Sequence, residues 1–522
     1  MAPFDEKLVK LSARNGVERL VPRSLRSRQI FPIGAKNLAI VALALLFATF
    51  PGPARAQIVP VEGGIIHGKK LDDGTGLFRG IPFAAPPVEQ LRWKPPQPVI
   101  AWRGTRDATA QPASCVQNDQ GWNHADFIIG REDCLTLDVR TPSMKGRLPV
   151  LLWIHGGSNR AGGPNDIVMS DVGQKVLIVG VRYRLGIFGF LSHPALSAEQ
   201  GGSGNYGLMD QIAALEWVHR NIAKFGGDPG RVTIAGESAG SQDVSLLLAA
   251  PGARGLFSQA IMESGTPGFG LPERSLRDAE RIGRQADSLL GAGGDLAAMR
   301  AMSVPALLAV DLKLHDDTLE SDEMMWLRPM IDGKLLPADP RTLLEQAPPR
   351  PVILGTNKFE SGIDRPHRDA LIAKAFGPNE AAARAYYRAD EPDRPADPRL
   401  GTLEDQVGTD VYFRCPTEHL AQLLSAKGAP VWRYEFDGSP EGERTHHAAE
   451  ISYAFWDSTF APGLSLKPYW INFVRTGDPN GKEVPAWPAF TPQTQQHVLF
   501  DAKGVSVEGA LRPQLCSLQD RL

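Results

Sequence analysis

The sequence has only four cysteines, and none of them has the spacing of a metal site. They are Cys115, Cys134, Cys415 and Cys516, and no C-x-x-C pair occurs. Structural zinc sites need closely spaced Cys or His ligands, so we expect no bound metal. An even count is typical of disulfide-bonded exported proteins, with buried free thiols as the alternative.

The chain also lacks a long apolar segment and a basic stripe. Its one uninterrupted apolar run, 38–50, is 13 residues long and too short to span a membrane comfortably. The run follows Lys36 and precedes Ala54-Arg55-Ala56, which predicts a secretory signal cleaved before Gln57; an uncleaved N-terminal anchor is the alternative. We therefore expect a leader over 1–56 and a periplasmic or secreted protein without stable membrane insertion.

Removing that leader makes the chain acidic. Residues 1–56 hold nine basic and three acidic side chains, so their loss changes the formal charge from −3 to −9. An acidic chain without a basic or aromatic stripe argues against a general nucleic-acid binder.

No repeat or low-complexity linker interrupts residues 57–522. Near-continuous apolar runs at 148–158 and 176–186 are typical of buried parallel strands, and 209–230 has apolar residues at helical spacing. This alternation predicts one α/β domain. A helix-rich insertion at roughly 275–345 is placed to cover an active site.

One segment offers a candidate nucleophile. "RVTIAGESAGSQDVSLLLAA" (231–250) runs from a β-branched stretch through Gly236-Glu237-Ser238-Ala239-Gly240 into a helix-forming stretch. A Gly-x-Ser-x-Gly pattern on a strand-to-helix turn exposes the serine hydroxyl above a helix N-terminus. The alternative is an ordinary glycine-rich turn capped by serine.

A hydrolase built on such a turn places its acid and then its histidine later in the chain. Glu360, in the loop after the strand-like "PVILGTN", is one candidate acid; Asp332, Asp364 and Asp437 are others. The candidate bases are the histidines after Ser238, namely His315, His367, His419, His446, His447 and His497. Upstream, "WIHGGS" (153–158) fits the glycine-rich loop that supplies backbone donors to an oxyanion, besides Ala239.

Further segments carry a family resemblance over nearly the whole chain after the leader. They are "FRGIPFAAPPVEQLRWKPPQPVIAWRGTRDAT", "EDCLTLDV", "VRYRLGIFGFL", "GDPGRVTIAGESAGS", "RPMIDGKLLP", "TDVYFRCP" and "FVRTGDPNG", in that order. Together they resemble the type-B carboxylesterases, which include cholinesterases, bile-salt lipases and para-nitrobenzyl esterases.

The resemblance implies an α/β-hydrolase fold, with a mostly parallel central sheet flanked by helices. It implies a serine carboxylesterase that acts through an acyl-enzyme on small-molecule esters without a cofactor. The site residues that it implies are Ser238, Glu360 and His447 as catalytic triad, Gly157, Ser158 and Ala239 as oxyanion hole, and Cys115–Cys134 as a disulfide. Cys415 would then pair with Cys516 by elimination.

Some positions depart from the family pattern. Ser158 stands where Gly or Ala is usual, Asn159 where an aromatic often follows, and Arg182 where Asn is common. "HHAAEI" replaces the commoner His-Gly-x-Glu-Ile, and His447 keeps the family spacing of three residues to Glu450. These departures bear on specificity, since backbone donors survive a change of side chain. A catalytically dead adhesion protein and a hydrolase of amides or long-chain lipid esters are the rival functions.

Overall fold

The fold is described from a computed structural model of the chain. It covers residues 57–316, 327–391, 395–439, 443–519 and 521–522. The expected signal segment, 1–56, lies outside the described residues.

Within the described ranges, thirteen strands form one sheet. They are β1 (Gln57–Val61), β2 (Gly64–Lys70), β3 (Gly76–Pro82), β4 (Thr105–Asp107), β5 (Thr136–Thr141), β6 (Leu148–Ile154), β7 (Leu177–Val181), β8 (Gly227–Glu237), β9 (Gln259–Glu263), β10 (Val352–Asn357), β11 (Val431–Asp437), β12 (His497–Asp501) and β13 (Gly504–Glu508). Their order across the sheet is β1-β2-β3-β5-β7-β6-β8-β9-β10-β11-β12-β13, with β4 beside β2.

The centre of this sheet is parallel. All neighbouring pairs from β7 to β12 run parallel, whereas β1, β2, β3 and β5 pair antiparallel along one edge and β13 pairs antiparallel at the other. Every residue of β7 and β10 is buried. Parallel strands covered on both faces need such continuous apolar sequences, and this confirms the expected α/β domain with a mostly parallel central sheet.

Helices flank the sheet on the connections between strands. They are α1 (His124–Ile128), α2 (Asn165–Met169), α3 (Gly186–Phe190), α4 (Pro194–Gln200), α5 (Tyr206–Asn221), α6 (Ala239–Ala249), α7 (Leu276–Leu290), α8 (Leu296–Ala301), α9 (Val304–Asp311), α10 (Pro340–Gln346), α11 (Arg365–Phe376), α12 (Glu380–Tyr387), α13 (Leu403–Thr409), α14 (Cys415–Ala426), α15 (Ile451–Phe455), α16 (Lys467–Thr476) and α17 (Pro513–Cys516).

The sequence patterns located these elements, with small errors at their ends. The segment 275–345 holds α7, α8, α9 and the start of α10, as its helical composition predicts. The helix expected from Ala448 begins instead at Ile451, after a turn. Ala448 has φ +67°, a left-handed conformation that a helix cannot contain, so the helix starts later.

Two disulfides close loops of different length. Cys115 bonds Cys134, and Cys415 bonds Cys516, 101 positions apart. The first closes a loop of 19 positions, which on the chain-entropy argument stabilises the fold by about 3 kcal/mol. The second ties α14 to α17.

No helix among the described ranges is both long enough and apolar enough to cross a membrane.

Candidate active site

Ser238 lies on the turn between β8 and α6. Its backbone is left-handed, with φ +56° and ψ −125°, and its N–H donates to the carbonyl oxygen of Glu263 at 2.8 Å. Such a conformation is strained for a residue with a Cβ and persists only where the surroundings enforce it. The residue is half-buried, and its hydroxyl makes no hydrogen bond to any described residue.

The turn is tight because glycines flank it. A Cβ on Gly236 would lie 2.5 Å from the carbonyl carbon of Gly240, and one on Gly240 would overlap the carbonyl oxygen of Ile154. Only glycine fits where two backbone segments approach so closely. Ser238 is thereby held beside the C-terminal end of β6.

Glu360 and His447 meet in front of this turn. Glu360 follows β10, is buried, and accepts a hydrogen bond from the backbone N–H of Asn357 at 2.6 Å. Its Oε2 lies 2.7 Å from Nδ1 of His447, whose side chain is 32% exposed. A carboxylate on one imidazole nitrogen fixes the tautomer and directs the other nitrogen outward.

That other nitrogen faces a second carboxylate. Nε2 of His447 lies 3.2 Å from Oε1 of Glu237, the residue before Ser238. Among the described residues no hydrogen bond joins Nε2 to the Ser238 hydroxyl. Catalytic hydrogen bonds are often loose in the absence of substrate.

Negative charge surrounds the imidazole. Burial lowers the pKa of His447. The Glu237 carboxylate and the hydrogen bond to Glu360 raise this pKa by more than burial lowers it, so its value is about 9. Burial in turn raises the pKa of Glu237 to about 8, so the two groups compete for one proton. The pKa of His447 is raised whether Glu237 is protonated or not, because Glu360 contacts the imidazole directly.

A buried polar network supports Glu360 from behind. The Ser264 hydroxyl donates to Glu360 at 2.6 Å, and the Asn357 side-chain amide donates to Glu450 at 2.6 Å. Burial raises the pKa of Glu450 to about 7 and holds the pKa of Glu263, at the end of β9, well above its usual range. Raised carboxyl pKa values cluster at functional sites.

Sequence patterns did not single out Ser264 and Asn357. Both lie at the C-terminal edge of the parallel strands, Ser264 directly after β9 and Asn357 as the last residue of β10. Polar residues at that edge, where such folds place their sites, are the signal that would have drawn attention to them.

The glycine loop after β6 provides backbone donors. Gly157, Ser158 and Asn159 all have positive φ, at +105°, +57° and +56°. Within the described parts of the chain, the N–H groups of Gly157, Ser158 and Ala239 have no protein acceptor. A Cβ on Gly156 would lie 3.1 Å from Cβ of Ser238, so this loop adjoins the nucleophile turn.

The other sequence candidates lie elsewhere. Among the candidate acids, Asp332 accepts from Asn205, Asp364 contacts His367, and Asp437 pairs with Arg399.

The other candidate bases also have separate partners. His315 contacts Gln285, and His419 and His497 contact backbone carbonyls. His446 is exposed, and its Nδ1 lies 2.8 Å from the carbonyl oxygen of His447. None of these groups contacts Glu360.

A metal has no evident place here. Among the described residues, no group of three or more His, Cys, Asp or Glu side chains is arranged to hold a metal ion.

The arrangement of Ser238, His447 and Glu360 suits proton transfer and nucleophilic attack by the serine, with backbone N–H groups available to bind a developing negative oxygen.

Comparison with known proteins identifies the family. The model of the carboxylesterase family matches residues 55–519. Pyrethroid hydrolase Ces2e of Rattus norvegicus is 33% identical over 90% of this chain and 91% of its own length. Fumonisin B1 esterase of Sphingopyxis macrogoltabida is 34% identical, over 82% of this chain and 84% of its own.

Solved structures agree. A PNB esterase superposes with a TM-score of 0.76 and 31% identity, over 88% of this chain and 99% of that one. A thermophilic PNB esterase gives a TM-score of 0.77 at 28% identity, over 88% of this chain and 99% of that one. The resemblance found in the sequence is confirmed: the chain belongs to the carboxylesterase family and is a carboxylic ester hydrolase.

Proposed function

We propose that the protein is an exported serine carboxylesterase that forms an acyl-enzyme on Ser238, with His447 as base and Glu360 as its orienting acid. The observation that carries this proposal is the 2.7 Å contact between Glu360 and His447 beside a strained serine turn. Three groups that act together in ester hydrolysis thus come from three separate parts of the chain.

Each step has a residue to perform it. His447 turns Nε2 from Glu237 toward Ser238 and takes the hydroxyl proton as the oxygen attacks the ester carbonyl. The negative oxygen that forms binds the N–H groups of Gly157, Ser158 and Ala239. His447 then protonates the leaving alcohol, and water, activated by the same imidazole, releases the acid from Ser238.

Glu360 stays ionised through these steps. It accepts hydrogen bonds from the Asn357 backbone, from the Ser264 hydroxyl and from His447, and such bonds stabilise a buried carboxylate. The charge balances the imidazolium that forms when His447 holds the proton. The reaction needs no cofactor, and the partner is a small-molecule ester.

We also propose that residues 57–522 are the mature domain, exported after cleavage before Gln57. Two disulfides support an oxidising destination. Expression in a secretion-competent host with N-terminal sequencing of the product checks this: the mature chain starts at Gln57, and retention of 1–56 on an extracytoplasmic product contradicts it.

Ser238 is expected to carry the acyl group. A fluorophosphonate adds once per chain, as seen by intact mass, and peptide mapping places the adduct on Ser238. Chromogenic esters of graded acyl length, tested beside matching amides, give turnover that Ser238→Ala abolishes. Labelling that persists in folded Ser238→Ala, or amides cleaved faster than every ester, contradicts the proposal.

The two adjacent histidines are expected to differ sharply. His447→Ala loses roughly three or more orders of magnitude in kcat because the base is gone, while the oxyanion hole leaves residual activity. His446→Ala keeps most of its kcat, because its exposed ring does not contact Glu360. Circular dichroism verifies folding of both. A dead His446→Ala beside an active His447→Ala places the base one residue earlier.

We expect kcat/KM to rise with pH, and the midpoint of this rise to lie above the pKa of an ordinary histidine. His447 must be neutral to accept a proton, and its pKa is raised, so the acid limb of kcat/KM lies above pH 6.5. Glu237→Gln removes a neighbouring charge and moves this limb to lower pH. The exposed Glu216→Gln serves as control and leaves it in place. If Glu237→Gln leaves the acid limb of kcat/KM unchanged, the charge of Glu237 does not raise the pKa of His447.

A further inference from the structure

The loop that follows β6 has an unusual backbone. Ser158 and Asn159 are consecutive residues with a Cβ, and both are left-handed, at φ +57° and +56°. Asparagine tolerates this region better than most residues, whereas serine does so less readily. Two such residues in succession hold this shape only if their surroundings enforce it.

The side chain of Asn159 is fully buried and bonded on both sides. Its amide nitrogen donates to Oδ1 of Asp243 at 3.1 Å, and its oxygen accepts from the Tyr183 hydroxyl at 3.1 Å. Its backbone carbonyl accepts from the N–H of Gly186 at 2.7 Å. Asn159 is therefore anchored at three atoms, directly after the proposed oxyanion donors Gly157 and Ser158.

The partner of Asn159 lies on the nucleophile helix. Asp243 is in α6, five residues after Ser238, and is fully buried. Its Oδ2 accepts a second amide, from Gln211 in α5, at 2.6 Å. No Lys, Arg or His side chain of the described residues lies within 4.0 Å of Asp243. Burial raises its pKa to about 7, and the Gln211 and Asn159 amides favour its charged form.

When Asp243 is ionised, the hydrogen bonds of this network have one possible direction. A carboxylate at 243 only accepts, so Gln211 and Asn159 must both present N–H groups to it. This orients the Asn159 oxygen toward Tyr183, whose hydroxyl also lies 2.7 Å from the His155 carbonyl oxygen. The four side chains therefore join α5, α6 and the glycine loop into one buried unit.

We propose that Asn159 and Asp243 are positioning residues that hold the oxyanion donors at the right distance from Ser238. The proposal rests on the proposed function, since it assumes that the N–H groups of Gly157 and Ser158 bind the oxyanion. The pair joins the two segments that form the hole, because Asn159 follows Ser158 and Asp243 belongs to the helix that begins with Ala239. Neither residue touches the substrate.

A charge-swapping pair of variants tests this. Asp243→Asn presents one carbonyl oxygen to two amide donors, and Asn159→Asp places two carboxylates in contact. The double variant restores the network: the new carboxylate at 159 accepts from Tyr183 and from the new amide at 243, whose oxygen accepts from Gln211. Each single change should lower kcat about 10- to 100-fold with KM changed less than about threefold. The double variant should recover to within about threefold of the parent.

Asn159→Gly provides a variant that keeps the backbone conformation accessible. Glycine adopts φ +56° without strain, so only the side-chain bonds are lost, and kcat should fall as in the single variants. Ser245→Ala is the matched control: it removes another buried hydrogen bond of α6, to the Gln242 carbonyl at 2.6 Å, and should leave kcat unchanged. Thermal unfolding is recorded for every variant.

The outcomes separate this proposal from the proposed function. Fluorophosphonate labelling of Ser238 and ester turnover by the parent test the function alone. Unchanged kcat in folded Asn159→Gly overturns the positioning role. So does a double variant no more active than the worse single variant, or a loss in Ser245→Ala equal to that in Asp243→Asn, since any of these makes the pair an ordinary part of the core.

Discussion

The close approach of α6 to the end of β6 is the constraint on which the rest of the site depends. Residues Ile154 of β6 and Gly236 of β8 lie side by side in the parallel sheet, and Gly240 packs directly on the Ile154 carbonyl. No side chain larger than hydrogen fits at Gly240, so the chain reverses within a few residues and Ser238 is held left-handed. The same contact places the start of α6 beside the glycine loop, so the N–H groups of Gly157, Ser158 and Ala239, which have no acceptor among the described residues, belong to adjacent segments.

The site brings several acidic side chains into the interior of the protein. Glu237, Glu360 and Glu450 are buried around His447, and Glu263 is buried near Glu450 and Glu237. Four ionised carboxylates could not share that volume, and burial raises the pKa of three of them, so protons are held there. Glu360 accepts hydrogen bonds from the Asn357 backbone N–H and the Ser264 hydroxyl, and it contacts the imidazole of His447.

Much of the fold was predictable because its signals are local. Buried parallel strands need continuous apolar runs, so 148–158, 176–186 and "PVILGTN" were readable as strands, and the glycine spacing around Ser238 indicated the turn. The ends of elements were less predictable. The helix after His447 begins at Ile451 because Ala448 is left-handed, a conformation that nothing in "HHAAEI" requires.

By itself, the sequence determined the family, the fold class and a short set of candidate groups, since motif order and spacing are properties of the chain alone. Tertiary structure decided which groups meet: Glu360, and not Asp332, Asp364 or Asp437, lies against Nδ1 of His447. It also decided that Nε2 faces Glu237, and that Asn159 is bonded to Asp243, 84 positions away. Contacts between residues so far apart in sequence depend on how strands and helices pack, and no local pattern specifies that geometry.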